Sequence, residues 1–226
     1  MKLLIVIPAY NEEKIIKKNV LKTREFFKKR YKVTEFEIII VNDGSSDNTG
    51  KISNEIRFPN VSTISYKENK GKGYAVKKGM KKSKGELILM IDADLATPLD
   101  QFDKIIKFKK NYDIIIGSRV NPKAKRKPIK KIFGKLSYLI VEVILNLGIK
   151  DTQCGFKLFK RKTLKIFKKQ KIDGFGFDFE ILYIANKEGY KIKEIPVKWI
   201  EKGDSKVKLK HYFFAFKQLL KVKKIH

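Results

Sequence analysis

The sequence predicts one α/β domain over residues 1–226, built on a doubly wound, mostly parallel sheet flanked by helices. Four apolar runs of strand length stand out: LLIVI at Leu3–Ile7, EIIIV at Glu37–Val41, ELILMI at Glu86–Ile91 and DIIIG at Asp113–Gly117. They are nearly continuous rather than alternating, which marks strands buried on both faces. Segments of helical spacing lie between them, and strand–helix alternation leads to a parallel sheet. The third observation is chemical: the runs are followed in turn by PAYNEE, NDGSSD, DADLATP and SR, all polar. In open parallel sheets the ligand crevice lies beyond the carboxyl ends of the strands, so these stretches converge on one site.

The first helix is expected from about Glu12 to Tyr31, where Ile15, Ile16, Val20, Phe26 and Phe27 recur at helical spacing. A second begins near Ser46, where SSDNTGKISNEI supplies capping residues, and a third follows from Gly73 to Lys82. LSYLIVEVILNLGI, Leu136–Ile149, suits either a core helix or an interfacial one. The C-terminal third is less regular. DTQCGFKLFKR at Asp151–Arg161 leads into a helical pattern, the aromatic DGFGFDFEILYIANKEGY, the strand-like KIKEIPVKWI and an amphipathic helix over about 209–222. NPKAKRKPIKK, Asn121–Lys131, is lysine-rich and has the character of a loop.

Lys and Arg number 53 against 24 Asp and Glu, a formal charge of +29, while a hydrophobic fraction of 42% excludes a disordered basic tail. Such a field attracts nucleic acid, anionic lipid or phosphorylated small molecules, and the motifs must choose among them. Cys154 is the single cysteine, so no intramolecular disulfide forms and a cytosolic setting fits. With His211 and His226 the only histidines, Cys154 reads as a packed thiol rather than a nucleophile. No apolar run reaches the ~20 residues of a membrane span.

Asp92 and Asp94 end the most apolar strand. Two carboxylates at this spacing can share one divalent cation, Mg²⁺ or Mn²⁺, whose shell is completed by phosphate oxygens. Alternatively, one of them caps the helix beginning near Pro98 and the other is solvated. Asp43 can accept hydrogen bonds from a ring N–H or a ribose hydroxyl, or form an Asx-turn. Tyr10 can stack on a base and Glu12 can pair with its edge, although both also suit a helix start. NKGKGYAV, Asn69–Val76, is a glycine-rich basic loop opening a helix, suited to phosphate. It matches neither a P-loop nor a dinucleotide fingerprint, which weakens kinase and dehydrogenase readings.

PAYNE, VNDGSSDNT, NKGKGYAV, DADLATP, GSR and DTQCGFKLF, in this order, resemble family 2 glycosyltransferases of the GT-A fold, a Rossmann-like nucleotide-sugar-binding domain. DTQCGFKLF, FDFEILYIA and EIPVKW with GDSKVK resemble more narrowly the branch that moves glucose from UDP-glucose to dolichyl (polyprenyl) phosphate with inversion. The resemblance runs from Leu3 to about Lys208. It implies that Pro8, Tyr10, Glu12 and Asp43 hold the uridine, and that Gly71, Ala93 and Lys206 also line the nucleotide-sugar site. It further implies that Asp92 and Asp94 hold the metal and diphosphate, with Asp94 and Arg119 serving catalysis. Lys131 and Lys135, in a basic acceptor loop over about 120–135, stand where relatives carry an arginine for the acceptor phosphate; lysine supplies a point charge instead of a fork. Mannosyl relatives often read DADLQHP, and Ala96 replaces that glutamine here, which favours glucose and a more hydrated metal shell.

The lipid acceptor that the resemblance implies would bring the chain to the cytoplasmic face of a membrane as a peripheral protein. The polybasic segment and KHYFFAFKQLLKVKK suit an anionic surface, each basic residue adding about 1 kcal/mol. Two rivals remain. One is a transferase using GDP-mannose; the other, disfavoured because no recognised RNA-binding motif is present, is a basic RNA-binding protein.

Overall fold

The structure, a computed structural model, describes residues 2–120, 138–200 and 209–226, and from 209 to 216 the backbone alone. Seven strands form one mixed sheet in the order β3-β2-β1-β4-β6-β5-β7. The strands are β1 Leu3–Ala9, β2 Phe36–Asp43, β3 Val61–Tyr66, β4 Leu87–Met90, β5 Ile114–Ser118, β6 Lys157–Lys160 and β7 Ile192–Pro196. Pairings β1–β2, β1–β4, β2–β3 and β5–β7 are parallel, whereas β6 runs antiparallel to both of its neighbours, β4 and β5. The four expected runs are all strands of this sheet. Insertion of β6 between β4 and β5 is the feature the apolar pattern did not reveal.

Both faces of the sheet are covered, which explains the unbroken apolar runs. In β1, Leu3, Ile5 and Ile7 join one core cluster with Ile16, Val20 and Phe27. These last three lie on helix α1, Ile16–Lys28, which is shorter than the expected span. Leu4 and Val6 face the opposite cluster, among Ala75, Val76 and Met80 of helix α3, Lys72–Lys81. Gly79 lets α3 approach closely, because a Cβ there would stand 2.4 Å from Val6 Cγ1. Helix α2, Thr49–Asn54, lies within the expected SSDNTGKISNEI segment and begins just after Ser46, and the one-turn helix α4 spans Phe102–Ile105.

The remaining helices are α5 at 138–145, α6 at Lys165–Lys169, α7 at Phe177–Lys187 and α8 at Leu209–Ile225. A third apolar cluster joins Val141 and Leu145 of α5, Phe179 of α7, and Leu219 and Val222 of α8. The opposite face of α5 carries Leu139, 46% exposed, and Val143, 81% exposed. Within the expected segment Leu136–Ile149, the helix at 138–145 thus packs one face into the core and leaves the other exposed.

Candidate active site

The carboxyl ends of β1, β2 and β4 bring the predicted stretches together through hydrogen bonds between motifs. Asn11 N–H donates to Ser45 Oγ at 3.0 Å, and Glu12 N–H donates to Thr49 Oγ1 at 2.7 Å. Glu13 returns the contact, its Oε2 accepting from Asn48 N–H at 2.9 Å. The PAYNEE and NDGSSD turns therefore form one rigid rim. Pro8 is buried in β1 beside Val41, whereas Tyr10 is 44% exposed at the rim, which leaves its ring accessible. Asn11 and Leu95 adopt φ of 54° and 52°. Left-handed backbone at non-glycine residues is uncommon and clusters at functional sites.

Asp43 is almost fully buried, and its carboxylate ties the glycine-rich loop to β2. It accepts from Tyr66 Oη at 2.8 Å, from the Lys70 and Gly71 N–H groups at 2.9 Å each, and from Asn69 Nδ2 at 3.0 Å. Burial and this carboxylate push the Tyr66 phenol far up, fixing it as a donor. Gly71 itself has φ of +101°, and a Cβ there would meet Asp173 O at 2.5 Å. The loop is thus seated between Asp43 and the segment preceding α7.

Asp92 and Asp94 are half-buried at the end of β4, and Ala93 lies between them with its carbonyl accepting from Asn19 Nδ2 of α1 at 2.8 Å. Asp94 Oδ1 accepts from Ala96 N–H at 2.9 Å, a local turn and not a cap on the helical segment after Pro98. Asp92 Oδ1 pairs with Lys72 Nζ at 2.6 Å. Burial alone would raise the Asp92 carboxyl, but Lys72, with Lys157 and Arg119 nearby, outweighs it and holds the group below the ordinary carboxylate range. Gly155 presses against the same carboxylate, since a Cβ there would lie 1.8 Å from Oδ2.

Asp92 and Asp94 are the residues at this edge that could hold a hard divalent cation. Two carboxylates offer oxygen ligands, and among the described residues no group of three or more His, Cys, Asp or Glu could enclose one. Water and phosphate oxygens would supply the remaining ligands.

Arg119, just beyond β5, is held by Asp151. Its Nε and a terminal nitrogen donate to the two carboxylate oxygens at 2.8 and 2.7 Å, and its backbone N–H donates at 2.7 Å. Asp151 is 7% exposed; burial pushes its pKa up, but the guanidinium wins and the net shift is downward. Charge-assisted bidentate bonds of this kind fix orientation as well as charge. Beneath the site, Lys157 of β6 and Asp178 of α7 form a fully buried ion pair. Burial raises Asp178 despite Lys157 and Lys72 nearby, and Asp92, Lys72, Asp178 and Lys157 make a chain of alternating charge. Cys154 is buried, and desolvation pushes its thiol up to about 11, consistent with packing rather than reactivity.

Sequence reasoning therefore located Asp43, Asp92, Asp94 and Arg119 at one edge, but missed Lys72, Asp151, Gly155, Lys157 and Asp178. Asp151 and Gly155 lay in the quoted DTQCG motif without a role. Lys131, Lys135 and Lys206 lie outside the described residues.

Residues 4–167 match the model of glycosyl transferase family 2, and the chain belongs to that family. It is 41% identical over 220 residues to a dolichyl-phosphate beta-glucosyltransferase of Trichomonas vaginalis, covering 90% of this chain and 65% of that protein. It is 34% identical over 222 residues to the human dolichyl-phosphate beta-glucosyltransferase, covering 90% of this chain and 68% of the other. The chain thus spans about two thirds of the length of these relatives. Among solved structures, it resembles glucosyl-3-phosphoglycerate synthase from Mycobacterium tuberculosis in complex with Mn²⁺, UDP and phosphoglyceric acid. The TM-score is 0.74 at 16% identity, covering 100% of this chain and 79% of the other. It also resembles mannosyl-3-phosphoglycerate synthase from Rubrobacter xylanophilus, with a TM-score of 0.72 at 14% identity, covering 98% and 72%. These likenesses establish the GT-A fold expected from the motifs.

Proposed function

We propose that this chain transfers glucose from UDP-glucose to dolichyl or another polyprenyl phosphate, with inversion at the sugar carbon. The observation that carries the reading is identity of 34–41% over 90% of the chain to proteins named dolichyl-phosphate beta-glucosyltransferase. That naming also favours glucose over the mannosyl alternative.

The Tyr10 ring stacks on the uracil, and Glu12 and Pro8 shape the rim around it. Asp43, whose carboxylate accepts from the Lys70 and Gly71 N–H groups, acts by seating the glycine-rich loop beside the nucleotide. Asp92 and Asp94 hold Mg²⁺ or Mn²⁺, which when bound neutralises the diphosphate. Lys72, beside Asp92, and Arg119, oriented by Asp151, place positive charge around the leaving UDP. A phosphate monoester is already an anionic nucleophile near neutral pH, so no general base is required and the residues work by positioning. For Lys131, Lys135 and Lys206, outside the described residues, the family resemblance supports roles toward the acceptor phosphate for the first two and toward the diphosphate for the third.

Among the described residues no helix is long and apolar enough to cross a membrane. The lipid acceptor of this reading brings the chain to the cytoplasmic leaflet as a peripheral protein, with Leu139 and Val143 of α5 and Leu220 of α8 as exposed apolar contacts. The decisive experiment incubates the protein with labelled nucleotide sugars and polyprenyl phosphate, with and without chelator, and follows label into the organic phase. Label from UDP-glucose alone, lost with chelator, is the expected result. Absence of transfer from every donor across several polyprenyl phosphates would sink the proposal.

A further inference from the structure

Asp151 orients Arg119, and its own position depends on a side chain of the edge strand. Glu194 of β7 accepts from the Asp151 N–H through Oε1 at 2.8 Å and from the Lys150 N–H through Oε2 at 3.1 Å. The chain needs such a partner here. Between α5 and Asp151, Asn146 and Gly148 take left-handed φ of 48° and 65°, so the connection builds no regular ladder and its amides need other acceptors. Two carboxylates meet them. Glu142 Oε2 accepts from the Leu147 and Gly148 N–H groups at 3.2 and 2.8 Å, and Glu194 takes those of 150 and 151. Ile149 separates the two clamps and is buried in the core.

Glu194 and Arg119 share one frame. β7 pairs with β5 in parallel register, Glu194 opposite Ile116 and Pro196 opposite Ser118, and Val197 N–H donates to Ser118 O at 2.9 Å. Arg119 follows Ser118 directly. Asp151 belongs to no strand or helix; its backbone is placed by β7 through Glu194, while that of Arg119 is placed by β5. Both partners of the ion pair are thus referred to the same two strands, and rigid elements hold a site more precisely than loops do. The three bonds from Arg119 to the Asp151 carboxylate carry that placement to the guanidinium.

We propose that Glu194 is a positioning residue for Arg119: by seating the Asp151 amide, it sets where the guanidinium stands beside Asp92 and the departing diphosphate. The catalytic consequence rests on the transfer reaction proposed above, whereas the geometry does not. Negative charge on the diphosphate grows as the bond to the sugar breaks, so a displaced guanidinium costs more in the transition state than in the bound donor. Loss of the Glu194 contacts should therefore appear in kcat and not in KM.

The test uses two variants of Glu194. Glu194→Gln replaces one acceptor oxygen by an NH₂ group, which cannot accept from an amide, and Glu194→Asp keeps the charge but withdraws both oxygens by one methylene. Glu142→Gln alters the neighbouring clamp alone and is the control. The first measurement follows the Arg119 Nε–H resonance in isotope-labelled protein, assigned by its disappearance in Arg119→Lys. Its exchange with water should quicken about tenfold in both Glu194 variants and stay at the wild-type rate in the control, because the bond to Asp151 loosens only in the former. The second measurement is transfer: kcat should fall about tenfold or more in both Glu194 variants, with KM for UDP-glucose within about twofold of wild type. The double variant Glu194→Gln, Asp151→Asn should lose no more than Asp151→Asn alone, since the two residues act in series. An unchanged Arg119 resonance in the folded Glu194 variants, an equal change in the control, an effect of Glu194→Gln that Glu194→Asp lacks, or losses that multiply in the double variant would overturn the inference. A wild-type chain inert toward UDP-glucose would remove the transfer reading alone, and the resonance would still decide the positioning. Melting curves identify the folded variants, and Glu194→Asp carries the comparison if Glu194→Gln does not fold.

Discussion

Lys72 Nζ stands 2.6 Å from Asp92 Oδ1, so an ammonium occupies the carboxylate that the sequence marks as a cation ligand. Lys72 also feels Asp178 below it, and these carboxylates raise its pKa although burial opposes them. A divalent cation arriving at Asp92 must compete with that ammonium. Lys72→Met should therefore bind Mn²⁺ about tenfold more tightly in the absence of nucleotide, as read from the paramagnetic signal of free Mn²⁺. UDP affinity should fall in the same variant, because a phosphate-facing charge is gone. Weaker Mn²⁺ binding would instead show that Lys72 serves to hold Asp92 in place.

Asp94→Asn isolates the charge of the second carboxylate. The Ala96 N–H that Asp94 Oδ1 accepts at 2.9 Å can be accepted equally by an amide oxygen. Stability should change by no more than ~0.5 kcal/mol, while metal-dependent transfer falls roughly 10²–10³-fold. Undiminished transfer would make the aspartate pair structural.

The parts of the fold that the sequence disclosed are those whose physics is local. Strands buried on both faces must be apolar throughout, so β1, β2, β4 and β5 could be recognised directly. β3 reads VSTISY, mixed and half-buried at the sheet edge, and passes for a loop. β6 reads KLFK and was hidden by Lys157, because a lysine signals surface unless its partner is known. That partner, Asp178, lies 21 residues away on another element. The same reasoning divides the site. Asp43, Asp92 and Asp94 end apolar strands and announce themselves. Their roles are less legible: the sequence leaves Asp43 open to a ligand contact or an Asx-turn, and in the fold it accepts bonds from four groups of its own chain. Lys72 and Asp151 acquire meaning only once folding brings them to Asp92 and Arg119.

Gly155 is required by close approach and not by backbone angle. A methyl group there would lie 1.8 Å from Asp92 Oδ2 and 2.2 Å from Cγ, so Gly155→Ala must displace the carboxylate or shift the strand entry. Overpacking of this kind costs about 1–3 kcal/mol. Mn²⁺ affinity should fall with it, while Gly189→Ala, at an open positive-φ turn, should cost stability without touching Mn²⁺ binding. Unchanged Mn²⁺ affinity in Gly155→Ala would remove Asp92 from the metal site.

Asp151 links Arg119 to the pH dependence of the fold. Its pKa is pushed up by burial and, more strongly, down by the Arg119 guanidinium, so the folded value lies below the unfolded one, which is about 3.9. Between those two values the native chain binds fewer protons than the unfolded chain, and stability falls as pH falls. The contribution is complete above about pH 5 and is lost as pH drops through the folded pKa. Asp151→Asn removes this titration and leaves Arg119 with a neutral partner, at a cost of roughly 1–3 kcal/mol at pH 7. Urea unfolding at pH 7, 5 and 3 should show that gap at the first two values and a narrower one at the third. Transfer activity should fall in the variant even at pH 7, because Arg119 loses the two-point contact that orients it. A stability gap that stayed constant down to pH 3 would mean that the Asp151 charge contributes nothing to holding this edge of the site together.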